Sequence, residues 1–131
     1  MAGELILIVE DNEKNRRLER DVLQFHGYRI LEAENAEDGI RMAQESVPQL
    51  ILMDIQLPGM NGIEALGRLR ADPTTRAIPI MAVTASAMTQ DRQKIMAAGF
   101  DGYQSKPINV KEFVAAVRAL IDQGPTPGDA R

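Results

Sequence analysis

The chain contains no cysteine and no tryptophan, one histidine, and only three Phe and two Tyr. Without cysteine there is no disulfide framework, no zinc ribbon and no thiol nucleophile. An excess of positive charge is also missing: 15 Lys and Arg face 19 Asp and Glu, for a net charge of -4. That balance argues against a nucleic-acid partner, because gripping a phosphate backbone calls for clustered cations. Long apolar runs are absent as well. The longest near the start, Leu5 to Val9, falls far short of the roughly 20 residues that span a bilayer, and no basic segment precedes it. Neither membrane insertion nor secretion is expected, and the cytoplasm is the expected compartment. What remains is 131 residues, 44% hydrophobic and 26% charged. A domain of that length buries roughly two-thirds of the surface its unfolded chain exposes, enough for a core without covalent staples.

Leu5-Ile6-Leu7-Ile8-Val9, Leu50-Ile51-Leu52-Met53 and Ile78-Pro79-Ile80-Met81-Ala82-Val83 are continuous apolar runs rather than alternating ones. Strands of this kind belong to a parallel sheet covered by helices on both faces. Pro79 has no N–H to give, which places it at or near the start of its strand. Weaker strand patterns are Arg29 to Ala33 and Gly102 to Lys106.

Helical patterns lie between. The first opens on Asn12 as N-cap, carries Leu18, Val22 and Phe25 as its apolar stripe, and ends at Gly27. Ala36 to Val47 is the second, stopped by Pro48; Gly62 to Ala71 is the third, stopped by Asp72-Pro73. Met88 to Ala98 is the fourth, followed by Gly99. Val110, Phe113, Val114, Val117, Leu120 and Ile121 mark the fifth. The order is β-α five times over, which implies a parallel α/β sheet with right-handed crossovers. Residues 124–131, with Gly124-Pro125-Thr126-Pro127-Gly128, break the helical pattern and are expected to form a flexible tail.

Open parallel sheets bind ligands beyond the carboxyl ends of their strands, where the strand order reverses. The first strand runs into Glu10-Asp11, the third into Asp54, the fourth into Thr84 and the fifth into Lys106. Each has an ordinary explanation: an acid after a strand often caps a helix, a terminal Thr is common, and a single Lys usually points to water. Together they are harder to dismiss, since Asp54 follows four apolar residues in what should be the sheet centre, where an unpaired charge is costly.

Carboxylates about 4 Å apart repel by roughly 4 kcal/mol per pair at an effective dielectric near 20, so three together need counter-charge. Lys106 supplies part. An oxygen-only ligand set without His or Cys suits Mg²⁺ for the rest, and Mg²⁺ commonly takes its remaining ligands from phosphate. Phosphoryl chemistry follows, with Asp54 as nucleophile, Lys106 neutralising charge on the phosphoryl oxygens and Thr84 donating a hydrogen bond to one of them.

Val9-Glu10-Asp11-Asn12, the run Leu52-Met53-Asp54-Ile55-Gln56-Leu57-Pro58-Gly59-Met60-Asn61-Gly62, Ala82-Val83-Thr84-Ala85 and Ser105-Lys106-Pro107 closely resemble the motifs of the two-component response-regulator receiver domain, of the CheY-like superfamily. The resemblance runs from residue 4 to about 122, in order and at the right spacing. It implies a flavodoxin-like (βα)5 doubly wound parallel sheet with strand order 2-1-3-4-5, and a receiver domain over residues 1–123. It also implies that Asp54 is the phosphoacceptor, with Mg²⁺ bound by Asp11, Asp54 and the backbone carbonyl of Gln56, and with Glu10 acting through water. Lys106 would contact the phosphoryl group, and its peptide bond to Pro107 would be cis. Thr84 and Tyr103 would form the switch pair that biases the face of the fourth helix, fifth strand and fifth helix. Gln56 and Ser86 fall where the family tunes the lifetime of the phosphoryl group.

His26 stands at a helix end before Gly27, so the phosphohistidine donor must belong to a partner: a histidine kinase or a histidine phosphotransferase. Lys14, Arg16, Arg17 and Arg20 lie on the helix that faces such partners in the family. The expected role is phosphorelay signalling to a downstream regulated protein, as a free-standing regulator of the DivK type or as a receiver module excised from a hybrid histidine kinase. In neither case is the chain an enzyme in its own right, although self-phosphorylation and self-dephosphorylation come with the chemistry. A true aspartyl-phosphate hydrolase is a remote alternative. It would want an acid two residues after the nucleophile, where this chain has Gln56. Nor is there a GxxxxGK[ST] loop for nucleotide hydrolysis.

Overall fold

The computed structural model describes residues 3–85 and 89–124. Along the chain it runs β1 (Leu5–Val9), α1 (Glu13–Phe25), β2 (Arg29–Ala33), α2 (Ala36–Ser46), β3 (Leu50–Asp54), α3 (Gly62–Ala71), β4 (Ile80–Thr84), α4 (Thr89–Ala98), β5 (Gly102–Ser105) and α5 (Val110–Gln123). Five parallel strands form one sheet in the order β2-β1-β3-β4-β5. This is the flavodoxin-like α/β arrangement, reversing between β1 and β3. Met88 and Ser86 and the expected tail beyond Gly124 fall outside the described residues.

The continuous apolar runs are explained by cover on both faces. Leu7, Val9, Ile51, Met53, Ile80 and Ala82 point to one side and pack with Ala36, Ala43, Ala65, Leu66, Leu69 and Ile95 of α2, α3 and α4. Ile6, Ile8, Leu50, Leu52, Met81 and Val83 point to the other and pack with Leu23, Phe113, Val117 and Leu120 of α1 and α5. Each fully buried Leu, Ile or Met contributes about 1.5–3 kcal/mol relative to exposure.

The ends of the elements follow local chemistry. Asn12, Asn35, Asn61 and Asn109 cap α1, α2, α3 and α5, each accepting a backbone N–H from the residue three further on. Asn61 and Glu64 complete a reciprocal capping box. Pro79 stands just before β4, which starts at Ile80 rather than Ile78, and its carbonyl receives the N–H of Ile51 at 3.0 Å. α2 stops at Ser46 because Val47 turns left-handed, at φ 44°, ahead of Pro48.

The apolar stripe expected on α1 is corrected. Leu18 and Phe25 are exposed, at 43% and 86%, and the buried positions are Glu19 and Leu23. The helix presents Glu19 and Leu23, one turn apart, to the sheet. Leu23 supplies the apolar contact, Val22 packs beside it, and Leu18 and Phe25 are carried to the outer surface. Among the described residues, no helix is long and apolar enough to cross a membrane.

Candidate functional site

The carboxyl end of the sheet gathers the residues singled out at the strand ends. β3 delivers Asp54 as its last residue, 4% exposed; β4 delivers Thr84 as its last, 1% exposed; Glu10 follows β1, 1% exposed. Asp11 lies at the exposed lip, and Lys106 comes directly after β5. α3 begins hard against this edge. A Cβ at Gly62 would sit 2.5 Å from the carbonyl oxygen of Asp54 and 2.9 Å from the Cα of Ile55. Only glycine permits the approach, and the Gly62 N–H uses it to donate to the Ile55 carbonyl at 3.0 Å.

Lys106 Nζ stands 2.7 Å from Glu10 Oε1, an ion pair without hydrogen-bond alignment, and donates to Asp54 Oδ2 at 3.2 Å. The second oxygens are held by backbone: Asn12 N–H donates to Glu10 Oε2 at 3.1 Å, and Gln56 N–H donates to Asp54 Oδ1 at 3.0 Å. One carboxylate oxygen from each of Glu10, Asp11 and Asp54 falls within 4.8 Å of the others. The bond from Lys106 to Pro107 is cis.

Three carboxylates against one ammonium leave uncompensated negative charge. Burial pushes the Glu10 carboxyl up to about 7 and the neighbouring Asp54 adds to this, while Lys106 opposes. Burial works against the charge of Lys106, but Glu10 and Asp54 outweigh it and hold the ammonium above its ordinary range. The residues fit a hard divalent cation. Every side-chain donor is a carboxylate oxygen, and Glu10 Oε1 is buried with no aligned donor.

Thr84 and Gln56 line a cavity of about 180 Å³ with Ile55, Ile63, Asp91, Lys94 and Ile95. Tyr103 pairs with Ala82 in the β4–β5 register, and Thr84 pairs with Ser105. Residues two apart on a strand share a face, so Thr84 and Tyr103 look to the same side of the sheet. The Tyr103 ring packs on the α2–α4 side of the core, with the Arg92 guanidinium 5.3 Å from its centroid.

The basic residues of α1 divide. Lys14 and Arg17 are exposed, whereas Arg16 and Arg20 both turn to Glu32 of β2, at 3.2 and 3.3 Å. His26 is exposed at the helix end, edge-on to Phe25.

One buried acid escaped the sequence pattern. Glu19 is 2% exposed, on the inward face of α1 with Leu23. Burial, then the nearby charge of Glu10, pushes its carboxyl up to about 8. The available signal was its spacing, three residues after Arg16 and four before Leu23, which puts it on the inward face if Leu18 is not.

The chain is similar to known proteins over most of its length. The family model of the response regulator receiver domain matches residues 6–118. The polar-differentiation response regulator DivK of Brucella anthropi is 41% identical over 116 residues, 88% of this chain and 94% of that protein. Among solved structures, the receiver domain of a sensor histidine kinase from Pseudomonas aeruginosa, with a magnesium ion coordinated in its active-site cleft, is 34% identical with a TM-score of 0.85, covering 92% of this chain and 99% of that one. A CheY-like response regulator receiver protein from Methanospirillum hungatei is 27% identical with a TM-score of 0.84, covering 93% and 96%. With a family model matching residues 6–118 and a relative 41% identical over 88% of its length, the chain belongs to the response regulator receiver domain family of two-component signalling.

Proposed function

We propose that the chain is a Mg²⁺-dependent phosphoacceptor: it takes a phosphoryl group from a phosphohistidine on a histidine kinase or phosphotransferase onto Asp54 and passes the signal to a regulated protein. The observation that carries this reading is the Asp54 carboxylate, buried at the end of the central strand, 3.2 Å from the Lys106 ammonium and grouped with Glu10 and Asp11.

In the reaction an Asp54 carboxylate oxygen attacks phosphorus, the phosphorus–nitrogen bond of the donor breaks, and the departing imidazole takes a proton. Lys106 neutralises charge on the phosphoryl oxygens, and the Thr84 hydroxyl donates to one of them. Glu10, Asp11, Asp54 and the backbone carbonyl of Gln56 would hold Mg²⁺, which when bound adds charge neutralisation at the same oxygens. Attack by water on the aspartyl phosphate later releases inorganic phosphate and restores Asp54.

The output lies on the face of α4, β5 and α5, where Tyr103 follows Thr84 inward; phosphorylation acts by favouring one of two arrangements of this pair. On α1, exposed Lys14, Arg17 and Leu18 give the donor protein a mixed polar and apolar platform. Kinase-driven phosphotransfer of this kind places the protein in the cytoplasm. A receiver module of a hybrid kinase would share this chemistry and differ in the destination of the signal. An aspartyl-phosphate hydrolase is disfavoured by Gln56, which offers no acid two residues after Asp54.

Incubation with acetyl phosphate and Mg²⁺ should add one phosphoryl group by intact mass, with no addition in Asp54→Asn or in EDTA. Equal labelling of Asp54→Asn would move the phosphoacceptor elsewhere.

A further inference from the structure

Arg16 does not behave as a docking charge. Its side chain is 13% exposed, and its guanidinium makes two bonds at once. Nη1 donates to the backbone carbonyl of Glu10 at 3.0 Å, and Nε donates to Glu32 Oε1 at 3.2 Å. Arg20 Nη1 secures the second oxygen of Glu32 at 3.3 Å. On the other side of the same residue, Glu10 N–H donates to the carbonyl of Ala33, the residue after Glu32, at 3.0 Å. The main chain of Glu10 is therefore gripped at both its polar groups by the Glu32-Ala33 segment, once directly and once through Arg16.

We propose that Arg16 is a positioning residue for the acidic loop: by bridging Glu32 and the Glu10 carbonyl it holds Glu10 and Asp11 in the arrangement that receives a divalent cation. The inference rests on the cation-binding role proposed above for that loop. An exposed ion pair contributes about 0–1 kcal/mol and has no such consequence. Arg16 differs in being nearly enclosed and in binding a main-chain oxygen of the loop itself. Only a planar fork reaches two acceptors in fixed directions; a lysine ammonium on a flexible stem is a point charge. Groups that orient the ligands of a metal, without touching it, govern affinity because they fix ligand directions before the ion arrives.

The sign of the effect separates this role from simple charge. A guanidinium close to the acids repels an incoming cation, so charge alone predicts that deleting Arg16 tightens Mg²⁺ binding. Positioning predicts that deletion weakens it.

Calorimetric titration with Mg²⁺ of wild type, Arg16→Ala and Arg16→Lys, joined to amide exchange at Glu10 and Asp11 in metal-free protein, decides the matter. The expected result is a dissociation constant raised about tenfold in Arg16→Ala, the low end for residues that orient metal ligands. Partial recovery is expected in Arg16→Lys, with faster exchange at Glu10 while Phe113 in the core is unchanged. Unchanged or tighter Mg²⁺ binding by Arg16→Ala, or full recovery by Arg16→Lys, overturns the proposal. If wild type itself binds no Mg²⁺, the cation reading of the site fails and this proposal with it, whereas Mg²⁺ binding by wild type with unchanged affinity in Arg16→Ala overturns this proposal alone. Should Arg16→Ala not fold, the lysine variant carries both measurements.

Discussion

Glu19 stands one turn before Leu23 on the inward face of α1, and the two are almost equally closed to solvent, at 2% and 0% exposed. Leucine gains from that burial; a carboxylate loses unless it is neutral or paired. Burial, with the nearby charge of Glu10, holds the proton on Glu19 up to about pH 8, against 4.5 for an ordinary glutamate. The folded chain thus binds this proton more tightly than the unfolded chain. The stability linked to it is fully present below about pH 4.5 and is lost as pH rises to about 8.

Replacing Glu19 by Gln keeps the shape of the protonated acid and removes the titration. Each tenfold change in proton affinity is worth about 1.4 kcal/mol, and local relaxation returns part of it. The variant should therefore gain on the order of 2–4 kcal/mol over wild type between pH 5 and pH 9. Urea unfolding at several pH values in the absence of Mg²⁺ measures the difference. Parallel stability curves for the two proteins would mean that Glu19 is charged or solvated in the folded state.

Two glycines of α3 should respond to alanine in opposite directions. At Gly62 a Cβ meets the Asp54 carbonyl at 2.5 Å and the Ile55 Cα at 2.9 Å, both backbone that cannot step aside, and Met53 Cγ at 3.1 Å. At Gly67, exposed in the middle of the same helix, a Cβ meets nothing within 4 Å. Gly67→Ala should add about 0.5–1 kcal/mol by helix propensity. Gly62→Ala should cost about 1–3 kcal/mol, as overpacking does, and slow labelling of Asp54 by acetyl phosphate because α3 must pull away from the strand end. Thermal melts of both variants and a labelling time course provide the check; a Gly62→Ala protein with wild-type stability would contradict the close contact.

How much of this was visible beforehand depended on whether neighbours in sequence or neighbours in space decide the outcome. Leu50 to Met53 could be recognised as a buried strand because both faces demand apolar residues, so the run carries its own evidence. Asp54 stood out for the same reason, as a charge at the end of that run, and Glu10, Thr84 and Lys106 shared its strand-end position. The inward face of α1 was not legible. Leu18, Val22 and Phe25 form as good a helical stripe as Glu19 and Leu23, and hydrophobicity favours the former. What decides is how the helix lies over β1 and β2, a tertiary matter that put a carboxyl where leucine is expected. The engagement of Arg16 and Arg20 by Glu32 was hidden likewise, since it depends on β2 lying beside β1 with Ile8 opposite Glu32.

The switch proposed for Thr84 and Tyr103 makes a demand that phosphorylation alone does not meet. Thr84 is the last residue of β4, 1% exposed, and borders the cavity that also contains Gln56, two residues beyond Asp54. Tyr103 lies on the same side of the sheet, beside Ala82, beneath the Arg92 guanidinium. For the ring to report on Asp54, the hydroxyl must bond a phosphoryl oxygen in one arrangement and not in the other, because an equal interaction with both shifts nothing. Thr84→Ala removes the donor and leaves Asp54, Lys106 and the acidic pair in place. Such a protein should still accept a phosphoryl group, with a rate reduced by about tenfold or less if the lost hydrogen bond is worth about 1 kcal/mol. Its Tyr103 ring resonances should then stay where they are on labelling, while those of wild type move. Thr84→Ser keeps the hydroxyl and should restore the movement. If Tyr103 shifts on phosphorylation of Thr84→Ala as it does in wild type, the coupling runs by another route, and the β4 hydroxyl serves the reaction without serving the signal.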